Sequence, residues 1–178
     1  GYWKYRKQMP AEAPQKFEQL PRVTVQLPIY NEQYVVKRLI EETCKLDYPI
    51  DLLQIQVLDD STDETHPFTE RLVAEYRAAG WPIEYIHRTN RHGFKAGALE
   101  NGLKTATGEV VAVFDADFRP PPDFPRRVLG VGSPFSDLRV GFVQGRWTHF
   151  NETRNRLTRA QALLLDWQYF VQKPAATA

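Results

Sequence analysis

The strongest constraint in this sequence is an ordered alternation of short apolar segments with longer amphipathic ones. Segments typical of strands lie at 23–27, 53–58, 83–87, 110–114 and 140–144. The remaining segments predict helices at 32–46, from the capping residues 61–64 to 79, and at 95–105, 123–129 and 153–172. Strands that alternate with helices form parallel sheets, because each helix returns the chain to the same end of the sheet. The sequence therefore predicts a doubly wound, mostly parallel α/β sheet flanked by helices.

Composition and charge exclude several classes of protein. The 178 residues include 23 basic and 22 acidic side chains, so the formal net charge of +1 creates no field that would attract nucleic acid. The only cysteine, Cys44, can form no internal disulfide and cannot hold zinc by itself. No stretch approaches the roughly 18 apolar residues that span a bilayer. We therefore expect a soluble globular domain that faces the cytosol and has no nucleic acid partner.

Residues 1–21 differ from the rest of the chain in composition. Aromatic and basic residues are interleaved there, namely Tyr2, Trp3, Lys4, Tyr5, Arg6 and Lys7. This combination favours a membrane–water interface on the cytoplasmic side, although an ordinary solvated arm explains the same composition. We therefore divide the chain into a basic, aromatic arm of juxtamembrane type at 1–21 and a folded domain at 22–178.

Polar and charged residues follow the predicted strands at the points where the strands end. Tyr30 follows the first strand, Asp59 and Asp60 follow the second, and Asp115 and Asp117 follow the fourth. Open α/β sheets bind ligands outside the carboxyl ends of their strands. A helix cap would explain any one of these carboxylates, but two pairs at two strand ends indicate a binding site.

The residue types in this candidate site suit a metal, a nucleotide and a diphosphate. Asp115 and Asp117 offer hard oxygen ligands for Mg²⁺ or Mn²⁺, which bind through one or two carboxylates and phosphate oxygens. Lys95, in a glycine-flanked run at a helix start, favours a diphosphate, although a solvated helix residue is the simpler interpretation. Tyr30 either stacks on a planar base or packs against the first helix.

Four ordered motifs carry a resemblance to a known family. They are PRVTVQLPIYNE at 21–32, IQVLDDSTDET at 55–65, NRHGFKAGALENGLKTATGE at 90–109 and VFDADFRPPPDF at 113–124. Together they resemble family 2 glycosyltransferases, and most of all the processive membrane glycan synthases of the cellulose synthase and glucomannan synthase type. The resemblance extends from about residue 22 to 166, and it implies a Rossmann-like fold of the GT-A type.

The resemblance also implies a role for each candidate residue. Tyr30 takes the position beside the nucleotide base, and Asp60, with Asp59 beside it, takes that of the aspartate that hydrogen-bonds the base. The position of Lys95 is that of a lysine that contacts the nucleotide. In the D-x-D motif the resemblance implies that Asp117 binds the metal, Mg²⁺ or Mn²⁺, and that Asp115 lies near the ribose or the metal.

The implied reaction transfers a hexose, with inversion, from a nucleoside diphosphate sugar to a growing β-linked polysaccharide. The donor would be of the UDP-glucose or GDP-mannose type, and no residue is diagnostic of the base, although we slightly favour UDP. Family members carry a T-E-D motif with the catalytic base and a Q-x-x-R-W motif that holds the acceptor, and neither occurs here. No catalytic residue is therefore assigned within this chain, and the base is expected beyond Ala178.

We accordingly interpret the chain as the donor-binding part of a longer enzyme, truncated before its acceptor-binding half. Segments outside it would anchor the whole protein at the cytoplasmic face of the inner or plasma membrane. Part of the last predicted helix would then contact the acceptor half, so its apolar stripe should be partly exposed. That stripe consists of Leu157, Leu164, Trp167 and Val171.

Two other functions fit parts of the pattern. A nucleotidyltransferase that makes sugar nucleotides shares the topology and the acidic metal site, but the first strand is not followed by its glycine-rich phosphate loop. A non-catalytic domain that only binds nucleotide would also retain these residues.

Overall fold

The computed structural model describes residues 20–130, 133–136 and 140–144. Contacts divide the chain into two units, Pro14–Val140 and a second unit formed by Gly1–Ala13 and Gly141–Ala178. Of the second unit, residues 141–144 are described, and they form neither helix nor strand.

The first unit is built around a four-stranded parallel sheet. Its strands are β1 (Val23–Ile29), β2 (Leu53–Asp59), β3 (Ile83–His87) and β4 (Val110–Val113), in the order β3-β2-β1-β4. The helices are α1 (Gln33–Thr43), α2 (Thr65–Ala78), α3 (Phe94–Leu103) and α4 (Phe124–Leu129), with 3₁₀ turns at Ile50–Leu52 and Pro134–Ser136. The predicted doubly wound α/β class is confirmed, with four of the five predicted strands and the helices between them.

One face of the sheet is apolar and carries the core. Alternate residues of β1 and β2 point to this face and are buried, since successive side chains of a strand point to opposite sides. They form one cluster with buried residues of the helices, which include Val36, Leu39 and Ile40 of α1 and Leu72 and Val73 of α2. Burial of this apolar surface supplies the main driving force for folding.

Most of the alternate positions on β1 and β2 are polar, and their side chains attach α3 to the sheet by hydrogen bonds. The side chains of Gln26 and Gln56 are buried and joined by a hydrogen bond of 2.9 Å. Gln56 Nε2 also donates to the backbone carbonyl of Gly102 at 3.0 Å, and Gln54 Nε2 donates to that of Thr105 at 3.0 Å. The last carbonyls of a helix have no partner within the helix, so the glutamines satisfy the end of α3 opposite Lys95.

Two predicted elements, at 140–144 and 153–172, lie at or beyond the end of the described residues. Residues 140–144 do not form the predicted strand, and Phe142 is 82% exposed, because the segment has no neighbouring strand among the described residues to pair with. The predicted helix at 153–172 and its apolar stripe lie outside the described residues. Within the described parts of the chain, none of the helices has the length and apolarity needed to cross a membrane.

Replacement of Gln56 by methionine tests the polar attachment of α3. The change keeps the side-chain length but removes the Gln56 donor to the Gly102 carbonyl and the Gln56 acceptor of the buried Gln26 amide. An unsatisfied buried polar group costs about 1–3 kcal/mol, and we expect a loss of that size in the free energy of unfolding, measured with urea.

Gln54→Met is the matched control, because Gln54 lies on the same face but is only partly buried. Water can replace its lost hydrogen bonds, so the loss should be smaller. An equal loss in both variants would contradict the role given to burial.

Candidate functional site

A cavity of about 310 Å³ opens at the carboxyl edge of the sheet. Its lining comes from the segments that follow all four strands. Of the six residues predicted for the site, five line this cavity: Tyr30, Asp60, Lys95, Asp115 and Asp117. The sixth, Asp59, is buried behind it.

The strand register explains why these residues meet. Ile29 at the end of β1 pairs with Asp59 at the end of β2, which pairs with His87 at the end of β3. The ladder continues past the strands, since the Asp60 amide donates to the Ile29 carbonyl at 3.2 Å and the Arg88 amide to the Asp59 carbonyl at 3.0 Å. The chain therefore leaves each strand at the same level.

One end of the cavity is acidic. Asp115, Asp117 and Glu32 lie there, and the Nζ of Lys95 forms an ion pair with the carboxylate of Asp115. Partial burial raises the pKa of Glu32, the charges of Asp117 and Asp115 raise it further, and Lys95 partly opposes them. This concentration of negative charge favours a cation.

The donor set at this end fits a divalent metal that shares its ligands with a phosphate. Within the described residues there is no group of three or more ligating side chains that could hold a metal ion alone. Mg²⁺ and Mn²⁺ do not require such a cage, because one or two carboxylates and substrate phosphate oxygens suffice. Asp115 and Asp117 supply the carboxylates.

At the other end of the cavity, Asp60 is bound by the arginine that follows β3. Arg88 Nε lies 2.7 Å from Oδ1 of Asp60, and the terminal nitrogen Nη2 lies 2.5 Å from Oδ2. These hydrogen bonds raise the pKa of Arg88, against a smaller effect of desolvation. Asp60 is buried, although it lines the cavity. Because Arg88 binds both of its carboxylate oxygens, the arginine fixes the orientation of the carboxylate.

An arginine also covers the aromatic ring predicted to meet the base. The guanidinium carbon of Arg91 lies 3.3 Å from the centroid of the Tyr30 ring and 5.2 Å from that of Phe94. Tyr30 therefore makes a cation–π contact with an exposed side chain, in addition to any packing against the first helix. A planar ligand that stacks on Tyr30 would replace Arg91 or share the ring with it.

Asp59 belongs to a buried network beneath the cavity. Its Oδ2 accepts a hydrogen bond of 2.5 Å from the Tyr85 hydroxyl, and its Oδ1 accepts one of 2.7 Å from the Ser61 amide. The Nδ1 of His66 lies 2.6 Å from the same hydroxyl, and the rings of His66 and His87 stack with centroids 4.0 Å apart. The structure thus places Asp59, which we grouped with Asp60 as a nucleotide contact, in this network at the end of β2 and not in the lining of the cavity.

Sequence reasoning did not single out three residues of this site. Glu32 and Arg91 line the cavity, and Arg88 binds Asp60 from behind. Glu32 ends the first motif, and both arginines lie in the polar segment after the third strand, from which only Lys95 was selected. The position of all three residues after predicted strands is the sequence feature that could have identified them as site residues.

A comparison with protein families now identifies the class of the protein. The family model described as "Glycosyl transferase family 2" matches residues 24–176. This chain therefore belongs to glycosyltransferase family 2, and the resemblance read from its motifs is confirmed. Membership in this family of glycosyltransferases removes the nucleotidyltransferase alternative.

Curated relatives place the chain near plant mannan synthases. It is 42% identical over 167 residues to "Probable glucomannan 4-beta-mannosyltransferase 7" of Oryza sativa subsp. japonica, covering 89% of this chain and 27% of that protein. It is 42% identical over 164 residues to "Glucomannan 4-beta-mannosyltransferase 2" of Arabidopsis thaliana, covering 89% and 30%. The chain thus spans less than a third of the length of these two relatives.

A solved structure supports the fold assignment. The mannosyltransferase PcManGT from Pyrobaculum calidifontis, in complex with GDP-Man and Mn²⁺, superimposes with a TM-score of 0.62 and 34% identity. The match covers 71% of this chain and 37% of that one. The GT-A type of fold predicted from the motifs is confirmed for the part of the chain that is described.

Replacement of Tyr85 by phenylalanine tests the network that anchors Asp59. Among the described residues, the Tyr85 hydroxyl is the one side-chain donor to this fully buried carboxylate, and the change removes it. Because a buried charged acceptor is costly to leave unsatisfied, we expect the free energy of unfolding to fall by about 2–3 kcal/mol, as measured by denaturant titration.

Tyr34→Phe provides the control, since Tyr34 is 98% exposed and its hydroxyl is open to solvent. That variant should remain within about 0.5 kcal/mol of the original protein. If Tyr85→Phe were equally neutral, the anchoring role of the network would be wrong.

Proposed function

We propose that this chain binds a nucleoside diphosphate sugar together with a divalent cation, as the donor-binding part of a polysaccharide synthase. The observation that carries the proposal is the convergence of Tyr30, Asp60, Lys95, Asp115 and Asp117 on one cavity. Each of these residue types suits one portion of such a donor or its cation.

Within this proposal, Tyr30 and Asp60 receive the base, and Lys95 meets the diphosphate. Asp115 and Asp117 hold Mg²⁺ or Mn²⁺. The cation, when bound, would neutralise charge that develops on the diphosphate leaving group. Lys95 contributes a second positive charge at the same end, because it can leave Asp115 for a phosphate oxygen once the metal occupies that carboxylate.

We propose GDP-mannose as the donor. The support comes from the plant relatives, which are named for glucomannan mannosyl transfer, and from the archaeal mannosyltransferase with GDP-Man and Mn²⁺. Guanine also has N–H groups on its Watson–Crick edge, and a carboxylate such as that of Asp60 can accept hydrogen bonds from them. This choice replaces the slight preference for UDP that the sequence alone suggested.

The acceptor in this proposal is a growing β-linked glycan, and the reaction inverts the anomeric centre. The general base that takes the acceptor proton would come from outside this chain, in keeping with its coverage of 27% of the rice relative. We further propose that the whole protein acts at the cytoplasmic face of a membrane, with residues 1–21 near the lipid surface.

Asp117→Asn tests the metal site. The substitution keeps the size of the side chain but removes the charge that a hard cation prefers. In calorimetric titrations we expect GDP to bind at least about tenfold more weakly than to the original protein when Mn²⁺ is present. Without metal, the two proteins should bind GDP equally.

Asp51→Asn is the matched control, because this exposed aspartate lies just before β2, at the amino edge of the sheet. It should leave the metal effect unchanged. Metal-independent GDP binding that is indifferent to Asp117→Asn would refute the assignment of the D-A-D carboxylates.

Competition between GDP and UDP, both with Mn²⁺, tests the choice of donor. We expect GDP to bind at least about tenfold more tightly, the factor that corresponds to about 1.4 kcal/mol. Asp60→Asn should reduce this preference, since it removes the negative charge that guanine donors would meet. Equal affinities in the original protein would refute the guanine assignment.

A further inference from the structure

The turn that leads from β3 into α3 has an unusual backbone. Gly93 and Phe94 both have positive φ angles, 72° and 50°. Glycine adopts this region freely, but in phenylalanine the Cβ comes too close to a neighbouring carbonyl oxygen. Such a conformation persists only when its surroundings determine it, and Lys95 of the candidate site is the next residue.

Arg88 supplies those surroundings. One terminal nitrogen, Nη1, donates to the His92 carbonyl at 3.2 Å, and the other, Nη2, donates to the Phe94 carbonyl at 3.1 Å. The turn is packed tightly against the helix, because a Cβ on Gly97 would lie 2.0 Å from the His92 carbonyl oxygen and 2.9 Å from Arg88. The guanidinium therefore fixes the turn from within.

The same guanidinium holds Asp60 through two further hydrogen bonds, from Nε and Nη2. One planar, rigid group thus connects the end of β2 with the start of α3. The Arg88 side chain is only 12% exposed and that of Asp60 only 5%, so water has little access to the contact between them. Arg91, which lies over Tyr30, belongs to the turn that Arg88 holds.

We propose that Arg88 is a positioning residue that couples the base end of the cavity to its diphosphate end. The inference rests on the proposed function and deepens it. A base that donates to Asp60 must share oxygens that Arg88 already binds, so the two contacts influence one another. Any change in the hydrogen bonds from Arg88 to the turn alters the position of Phe94, and hence that of Lys95.

Coupling of this kind has a thermodynamic consequence that binding experiments can measure. A ligand at one end of the cavity should change the affinity for a ligand at the other end by the same factor in both directions. Loss of Arg88 should weaken both ligands, including the one that does not reach Asp60.

The test uses guanosine, inorganic pyrophosphate and GDP as probes, each titrated in the presence of Mn²⁺. We compare the original protein with Arg88→Ala and with Arg88→Lys, which keeps the positive charge but loses the planar guanidinium and its several N–H donors. We expect pyrophosphate affinity to fall about tenfold or more in both variants. In an Arg88→Ala background, Asp60→Asn should have no additional effect on pyrophosphate.

A spectroscopic measurement separates positioning from folding. Guanosine should shift the backbone amide resonances of Phe94 and Lys95 in the original protein and leave them unshifted in Arg88→Lys, while the melting temperature stays close to the original. Arg77→Ala is the matched control, because Arg77 Nε donates to the Ile83 carbonyl at 2.9 Å at the other end of β3. It should change none of the three affinities.

Two outcomes would overturn the coupling role. Pyrophosphate affinity within twofold of the original in both variants would mean that Arg88 serves Asp60 alone. Loss of the native fold in both variants would make Arg88 a folding residue only. If the original protein binds neither GDP nor UDP, the proposed function itself is wrong. If nucleotide binding persists unchanged in the Arg88 variants, the proposed function stands and only the coupling role is wrong.

Discussion

The hydrogen-bonded register between β1 and β2 is the constraint on which the cavity depends. Seven residue pairs, from Val23 with Leu53 to Ile29 with Asp59, run in parallel through the centre of the sheet. A slip of one residue would reverse the faces, placing glutamines in the apolar core and aliphatic side chains against α3. The register therefore fixes both the packing of the helices and the level at which Tyr30 and Asp60 leave their strands.

Charge pairing organises the cavity that this register creates. Asp60 is paired with Arg88, Asp115 is paired with Lys95, and the buried Asp59 accepts from the Tyr85 hydroxyl. In the proposed complex, the cation would replace Lys95 at Asp115, and the phosphates would replace Asp115 as the partner of Lys95. Binding of an anionic donor would then need no strong net charge on the domain, because the compensating charges would be local.

Much of the fold could be predicted, and the reasons lie in local patterns. The strand predicted at 53–58 is observed at Leu53–Asp59, since alternation of aliphatic residues with glutamine has a period of two. The strand predicted at 140–144 is not observed, because alternation shows that a segment can pair but not that a neighbour is present. Five of the six predicted site residues meet in one cavity, because parallel strands end at a common edge.

By itself, the sequence determined the order of strands and helices, the family, and the placing of carboxylates and a lysine after the strands. These properties depend on residue type and spacing along the chain. Only the tertiary structure separated Asp59 from Asp60: the first is buried against Tyr85 and the second faces the cavity beneath Arg88. Neighbouring side chains on an extended chain point in opposite directions, and their partners come from β3 and the turn after it, about thirty residues away.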